Sequence, residues 1–352
     1  MAASVAACSG PQRVLDPAGP QAEHIARLAT FLFVTAGIVC AIVFAALALS
    51  VQNGRRRADR GEAPDETPDG ERRRGRAIGL AAAATTVVLF VYLVAAVRTG
   101  RALAWTAEGG PTERAGPPGA PPGLPPERGP FPGGAPLTVE VTGRQWWWEM
   151  KYDDPTPSRM LTTANELHIP VGRPVRIVTQ SHDVIHSFWV PKLHGKQDMI
   201  PGYKNVLWLR ADRPGVYRGQ CAEYCGHQHA HMAFDVVAES PADFARWYES
   251  QLAPAASPTD SSALHGQNVF MSNACIMCHK IGGTSAGSGI GPELTHLASR
   301  RSLAAGTLPN TRGHLAGWIV DPQGIKPGAR MPSNQLTPDD LNALLDYLRS
   351  LK

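Results

Sequence analysis

The sequence predicts a multi-domain membrane protein: a two-helix transmembrane hairpin, then a small β-sandwich or barrel, then an all-α domain. Three observations predict it. Residues 28–51 and 77–97 are uncharged apolar runs of 24 and 21 residues. Two stretches, 98–136 and 251–262, carry no hydrophobic period and mark linkers. Between those linkers the pattern is that of strands, and after them that of helices. Composition agrees. Only 18% of the 352 residues are charged and 43% are apolar, which excludes a coiled coil and an acidic disordered chain. The net charge of +4 is not gathered on one basic face, so a nucleic-acid partner is excluded too. Six cysteines in a chain of this length do not make a disulfide scaffold.

The apolar runs come first. As helices they are roughly 36 and 31 Å long, enough for a hydrocarbon core of about 30 Å. The intervening loop, 52–76, holds eight arginines, at 55, 56, 57, 60, 72, 73, 74 and 76. The outer flanks hold Arg27, Arg98 and Arg101. The positive-inside rule therefore puts the loop in the cytoplasm and both termini on the periplasmic or outer face of a bacterial cell membrane, in contact with lipid. Residues 1–27 form an N-terminal outer segment. Ala-Ala-Cys-Ser around Cys8 looks like the end of a lipoprotein signal, but only seven residues precede that cysteine. Lipidation of Cys8, a start further upstream, and a plain cysteine all stay open. Cys40 is read as an inert apolar residue in mid-helix.

Residues 98–136 contain ten prolines and are expected to be an extended, semi-rigid tether. The block 137–250 then supplies LTVEVTG, ELHIP, PVRIVTQ, NVLWLRA, GVYRGQ and MAFDVVA, short runs rich in β-branched residues and punctuated by turns. A linker at 251–262 separates it from the block 263–352, where HGQNVFMSNA and TPDDLNALLDYLRSL are helical in period. Thr337 is the N-cap there and Pro338 the first helical residue. The final helix is expected to close against the first helix of its own domain.

Residues 221–232 read CAEYCGHQHAHM, and DVIHSFWVP supplies His186 further upstream. Two thiolates with imidazole and thioether neighbours suit copper, zinc or iron–sulfur. A Cys2His2 zinc site built on Cys221 and Cys225 is the plain alternative, but zinc has no use for the Met232 thioether. GRQWWWEMKY, SHDVIHSFWVPKLHGKQDMIPGY and QCAEYCGHQHAHM together resemble subunit II of the haem–copper cytochrome c oxidases, over most of residues 137–240. The resemblance implies a cupredoxin-like β-barrel holding a dinuclear copper centre, CuA. It implies that Cys221 and Cys225 bridge both coppers and that His186 and His229 each bind one. Met232 and the backbone carbonyl of Glu223 become the weak ligands. By the same resemblance the Glu223 side chain binds magnesium at the boundary with the catalytic subunit, and Trp146 is the aromatic residue where electrons arrive, expected to be exposed beside the copper loop. Trp147 and Trp148 are read as packing residues. His227 and His231 are read as surface groups or supports, and His168, His182 and His194 as structural. One motif of the family is missing. The second helix opens RRRGRAIGL, without the acidic Glu-x-x-Trp-Thr-x-x-Pro start that helps feed protons.

Cys275-Ile-Met-Cys278-His279 is the attachment motif of a c-type haem, with two thioether cysteines and a proximal histidine. After His279 the only methionine is Met331, 52 residues on, and it is the expected sixth ligand, with His296 and His314 competing. The spacing, GIGPEL and the Pro332 that follows resemble a class I cytochrome c, with Pro292 expected near His279.

Together the parts resemble the haem-c-fused, caa-type form of oxidase subunit II. That implies an electron-input subunit: electrons pass from haem c through CuA to a partner, subunit I, which reduces oxygen and translocates protons. Subunit III is a further partner, and a quinol-oxidising complex or a cytochrome c is the donor. The alternative is the electron-input subunit of a CuA-containing nitric oxide reductase.

Overall fold

Burial in lipid forces every backbone N–H and C=O of a spanning segment to be satisfied within the segment, and a helix does this. The computed structural model describes residues 10–61, 67–104 and 137–352. Its first two elements are α1 (Pro20–Asp59) and α2 (Pro68–Ala104), both longer than the uncharged runs. Their apolar side chains, Phe33 and Leu80 among them, point outward, as lipid-facing residues do. The arginines expected in a loop lie mostly on helical extensions: 55–57 on α1 and 72–76 on α2. Phe31 and Tyr92 meet edge to face at 5.5 Å. Among the described residues, those of Glu23–Ala104 form one compact unit, and residues 10–22 with 137–352 form a second. Cys8 and most of the proline-rich stretch, 105–136, lie outside the described residues.

The second unit begins with the segment before α1. Ala18 exchanges backbone hydrogen bonds with the barrel, its N–H to the Lys192 carbonyl at 2.7 Å and its carbonyl to the Asp212 N–H at 2.8 Å. Lys192 donates to Asp16 at 2.6 Å, and this holds the Asp16 carboxyl below the usual carboxylate range.

Two five-stranded sheets follow. The strands are β1 (Thr138–Arg144), β2 (Trp147–Asp153), β3 (Leu161–Ala164), β4 (Glu166–Pro170), β5 (Val175–Ser181), β6 (His186–Trp189), β7 (Gln197–Met199), β8 (Asn205–Leu209), β9 (Gly215–Cys221) and β10 (Ala233–Glu239). The orders are β3-β2-β1-β5-β8 and β4-β10-β9-β6-β7. Alternate residues such as Val139, Val141, Trp148, Met150, Phe188 and Phe234 face inward and make one core. Helix α3 (Pro241–Leu252) starts at Ser240, whose hydroxyl caps the Asp243 N–H.

The last domain holds α4 (Ser261–Ser272), α5 (Cys275–Cys278), the two-residue strands β11 (Ser302–Leu303) and β12 (Leu308–Pro309), α6 (Arg312–Val320), α7 (Pro322–Ile325) and α8 (Pro338–Ser350). Thr337 caps α8 by accepting from the Asp340 N–H. Helix α8 closes on α4 as expected: Gly266 leaves room for the Ala343 backbone, and Phe270 meets Tyr347 at 6.2 Å. The segment between α3 and α4 has neither helix nor strand, yet it is held. Ala255 donates to the Gly282 carbonyl at 3.0 Å, and His296 Nε2 faces the carbonyls of Gln251 and Ala253 at 3.2 and 3.1 Å.

Candidate metal centres

The first cluster forms because β6 pairs antiparallel with β9, placing Phe188 opposite Cys221 and bringing His186 beside the turn after β9. That turn is closed by Cys221 N–H to the Met232 carbonyl (2.9 Å) and Ala222 N–H to the Ser187 carbonyl (3.0 Å). Gly226, at φ +110°, lets the chain double back to His229. Gly143 is required for a different reason: a Cβ there would meet the His186 ring at 2.8 Å.

The donor atoms converge. Cys221 Sγ and Cys225 Sγ are 3.7 Å apart. His186 Nδ1 is 3.9 Å from Cys221, and His229 Nδ1 is 3.6 Å from Cys225. Met232 Sδ is 3.8 Å from Cys225, and the Glu223 carbonyl is 3.2 Å from Cys221. The six groups picked from the sequence therefore meet at one place. His186 Nε2 lies 2.8 Å from Asp183 Oδ1; donating there leaves the Nδ1 lone pair facing the sulfurs. Burial works against the Asp183 charge. Bonds from His186 and from the N–H groups of Gln145 and Val184 outweigh it and bring that carboxyl down to about 2. The two thiols split. Cys221 is lowered because Cys225 can donate to its thiolate, and Cys225 is raised because a second thiolate would sit beside the first. A cation between the sulfurs removes that repulsion, and thiolate, imidazole and thioether together form the soft donor set that fits copper.

His227 is exposed, and His231 Nδ1 lies 2.8 Å from Gln228 Oε1, away from the sulfurs. The Glu223 carboxylate lies 3.6 Å from Lys196. His168 stacks on Trp247 at 4.0 Å and faces Glu239 at 3.0 Å, a structural arrangement.

The second cluster lines a cavity of about 450 Å³. Cys275, Cys278, His279 and Met331 all face it. His279 Nδ1 is 2.7 Å from the Pro292 carbonyl; donating there points Nε2 into the cavity. Burial pushes this imidazole toward its neutral, ligating form. Gly291 is glycine because a Cβ would meet the His279 ring at 2.9 Å. The competing histidines face elsewhere: His296 is engaged through both nitrogens, and His314 is exposed against the Thr311 hydroxyl. Replacing Met331 by alanine is expected to leave the haem attached, open the sixth position and lower the potential by on the order of 0.1 V, within the ~0.8 V that axial ligands span. Redox titration and the visible spectrum check this; an unchanged potential and an unchanged low-spin spectrum would return the role to a histidine.

Trp146 departs from the expectation of an exposed ring, being 9% exposed. Its indole N–H donates to the Cys225 carbonyl at 2.9 Å, and Gln145 donates to the same oxygen at 2.8 Å. Its ring lines the haem-type cavity, as does that of Trp147, and the Gly328 backbone covers it. Trp147 stacks under Arg144 at 5.5 Å, and Trp148 is fully buried in the core. Asp183, Gln145 and Lys326 escaped the sequence reading, whereas Pro292 was expected near His279 and its carbonyl lies there. The Asp–x–x–His spacing of Asp183 and His186 was the available signal for the first of them.

A cupredoxin-like domain with a cysteine–histidine–methionine cluster, joined to a cytochrome c domain and preceded by two helices apolar enough to span a membrane, defines a membrane-anchored electron-transfer protein. Residues 154–240 match the family described as cytochrome c oxidase subunit II, periplasmic domain, and residues 263–352 match cytochrome c. The chain is 34% identical over 350 residues to a cytochrome c oxidase subunit 2 of Alkalihalophilus pseudofirmus, which covers 98% of this chain and 93% of that one. It is 34% identical over 228 residues to the same subunit of Bacillus sp. PS3, 61% of this chain and 62% of that one. The crystal structure of the periplasmic domain of subunit II of Bradyrhizobium japonicum shares 32% identity, covering 33% of this chain and 92% of that one, with a TM-score of 0.31. The chain belongs to the cytochrome c oxidase subunit 2 family. Its cupredoxin-like and cytochrome domains imply copper and haem c, and as an oxidase subunit 2 it works with other oxidase subunits.

Proposed function

We propose that this chain receives electrons at haem c and delivers them through a dinuclear CuA centre to the subunit that reduces oxygen to water with proton translocation. When bound, the two groups supply a pair of one-electron carriers. The rest of the work belongs to the protein. Cys275 and Cys278 would hold the haem covalently, and His279 and Met331 would offer donors to its iron. Cys221 and Cys225 would hold the copper, with His186, His229, Met232 and the Glu223 carbonyl as the further donors. Asp183 fixes the His186 ring. Glu223, whose carboxylate lies 3.6 Å from Lys196, would contribute to a magnesium site at the boundary with subunit I. We infer that the arginine-rich ends of α1 and α2 face the cytoplasm and the redox domains the periplasm, that subunit III completes the complex, and that a quinol-oxidising complex or a cytochrome c supplies the electrons.

The observation that carries this reading is Trp146. One side chain lines the cavity of Cys275, His279 and Met331 and bonds to the backbone of Cys225. Transfer between the centres is then expected to be first order and insensitive to salt, because the domains need no diffusional encounter. Flash-induced haem oxidation in the intact complex at ~0.01 M and ~1 M ionic strength, where the Debye length is about 30 and 3 Å, tests it. A rate that collapses with salt would mean that the cytochrome domain is not held docked, and absence of haem-to-copper transfer would overturn the reading.

A further inference from the structure

Lys326 follows α7 in the cytochrome domain, five residues before Met331, and is 2% exposed. Its ammonium donates to three backbone carbonyls: Trp146 at 2.7 Å, His231 at 2.8 Å and Ala304 at 2.9 Å. The first two belong to the cupredoxin domain and the third to the cytochrome. An ammonium has three donors and no acceptor, so this arrangement satisfies it completely. The two cupredoxin carbonyls are those of the residue that bonds to Cys225 and of the residue before Met232.

The rest of the contact surrounds this point. Gln228 donates to the Pro327 carbonyl at 2.8 Å, and the Ala233 N–H donates to the Ala305 carbonyl at 3.0 Å. The Arg301 N–H donates to the Glu166 carboxylate. Arg301 and Arg330 also face Asp235 and Asp183, at 3.7 and 4.0 Å, but both arginines are mostly exposed, and pairs of that kind hold little. Lys326 is different because it is buried: removing its donors while the domains stay docked leaves three carbonyls short of a donor in a site closed to water, and separating the domains breaks its bonds to Trp146 and His231.

We propose that Lys326 is a positioning residue that pins the cytochrome domain on the cupredoxin domain, fixing the Met331 loop against Trp146. The proposal rests on the electron-input reading only for its purpose. The pin itself is a claim about docking, and it is read without either metal. Such a pin turns a tethered module into a docked one, with a single register between the two clusters. An apolar contact alone would leave that register free to slide, since burial is not directional.

The test is amide hydrogen exchange on the full-length chain in detergent, following the peptides that contain Ala233 and Arg301, whose N–H groups bond across the contact. In Lys326→Met, which keeps an unbranched chain one atom shorter and loses the donors, exchange at both should rise by about tenfold or more, the change produced by a fall of about 1.4 kcal/mol in opening free energy. Exchange at Ile177 and Val236, inside the two sheets, should stay as in the wild type. Lys326→Gln, shorter but still a donor, should give a smaller rise in the same two peptides and serves if the methionine variant does not fold. Wild-type protection at Ala233 and Arg301 in both variants, or in the glutamine variant alone if only that one folds, would overturn the proposal. A rise spread evenly over the sheets would overturn it too, since that is loss of the fold and not of docking. Failure here leaves the electron-input reading standing. Salt-sensitive transfer in the wild type would count against the pin, and absence of haem-to-copper transfer would remove that reading and leave the pin to be judged on exchange.

Discussion

Replacing Cys225 by serine is expected to abolish the delocalised mixed-valence copper signal and leave at most one copper per chain; Cys221→Ser should do the same. The thiolates sit 3.7 Å apart, each with its own imidazole: His186 on Cys221, His229 on Cys225. Delocalising one electron over two ions needs both sulfurs as shared, polarisable bridges. A serine hydroxyl is a hard, weakly acidic donor and cannot serve as one. Serine is close to cysteine in size, so the buried turn should keep its backbone bonds, including those that the Cys225 carbonyl accepts from Trp146 and Gln145. Copper and zinc content, with electron paramagnetic resonance, reads the outcome. A wild-type protein holding one zinc and no copper would show an ordinary zinc site instead.

Both clusters were legible because their signal is local. Cys275, Cys278 and His279 lie in one five-residue motif, and five of the six donors of the copper cluster lie between residues 221 and 232. His186 needed a resemblance, since only the pairing of β6 with β9 carries it across. Helix ends were less legible. Charge marks where a helix leaves lipid, not where its hydrogen bonding stops, so α1 and α2 run on through their arginines. Strand β2 hides in the tryptophan run: Trp148 faces the core and Trp147 the cavity, the alternation of a strand, but three like residues in a row show no period to the eye. The burial of Trp146 could not be read at all. What covers it, Lys326 and Gly328, comes 180 and more residues later in another domain, and nothing in a linear pattern reports such docking.

That docking sets the last expectation: Trp146→Ala should slow haem-to-copper transfer strongly, by on the order of 10²-fold, the loss that follows when reacting centres move by about an ångström. Two effects act together. The indole fills the space between the cavity wall and the Cys225 carbonyl, and its removal leaves a void that costs about 3–5 kcal/mol in a packed site. Its N–H bond to that carbonyl is also the direct link to the copper loop. Trp146→Phe separates the two, because it keeps an aromatic ring in the gap and loses the N–H. If the ring carries the coupling, phenylalanine should restore most of the rate; if the bond carries it, phenylalanine should resemble alanine. Neither change touches a ligand, so the spectra of both metal centres should stay as in the wild type. Flash-induced haem oxidation in the intact complex gives the rate, and an unchanged rate in Trp146→Ala would remove the residue from the path.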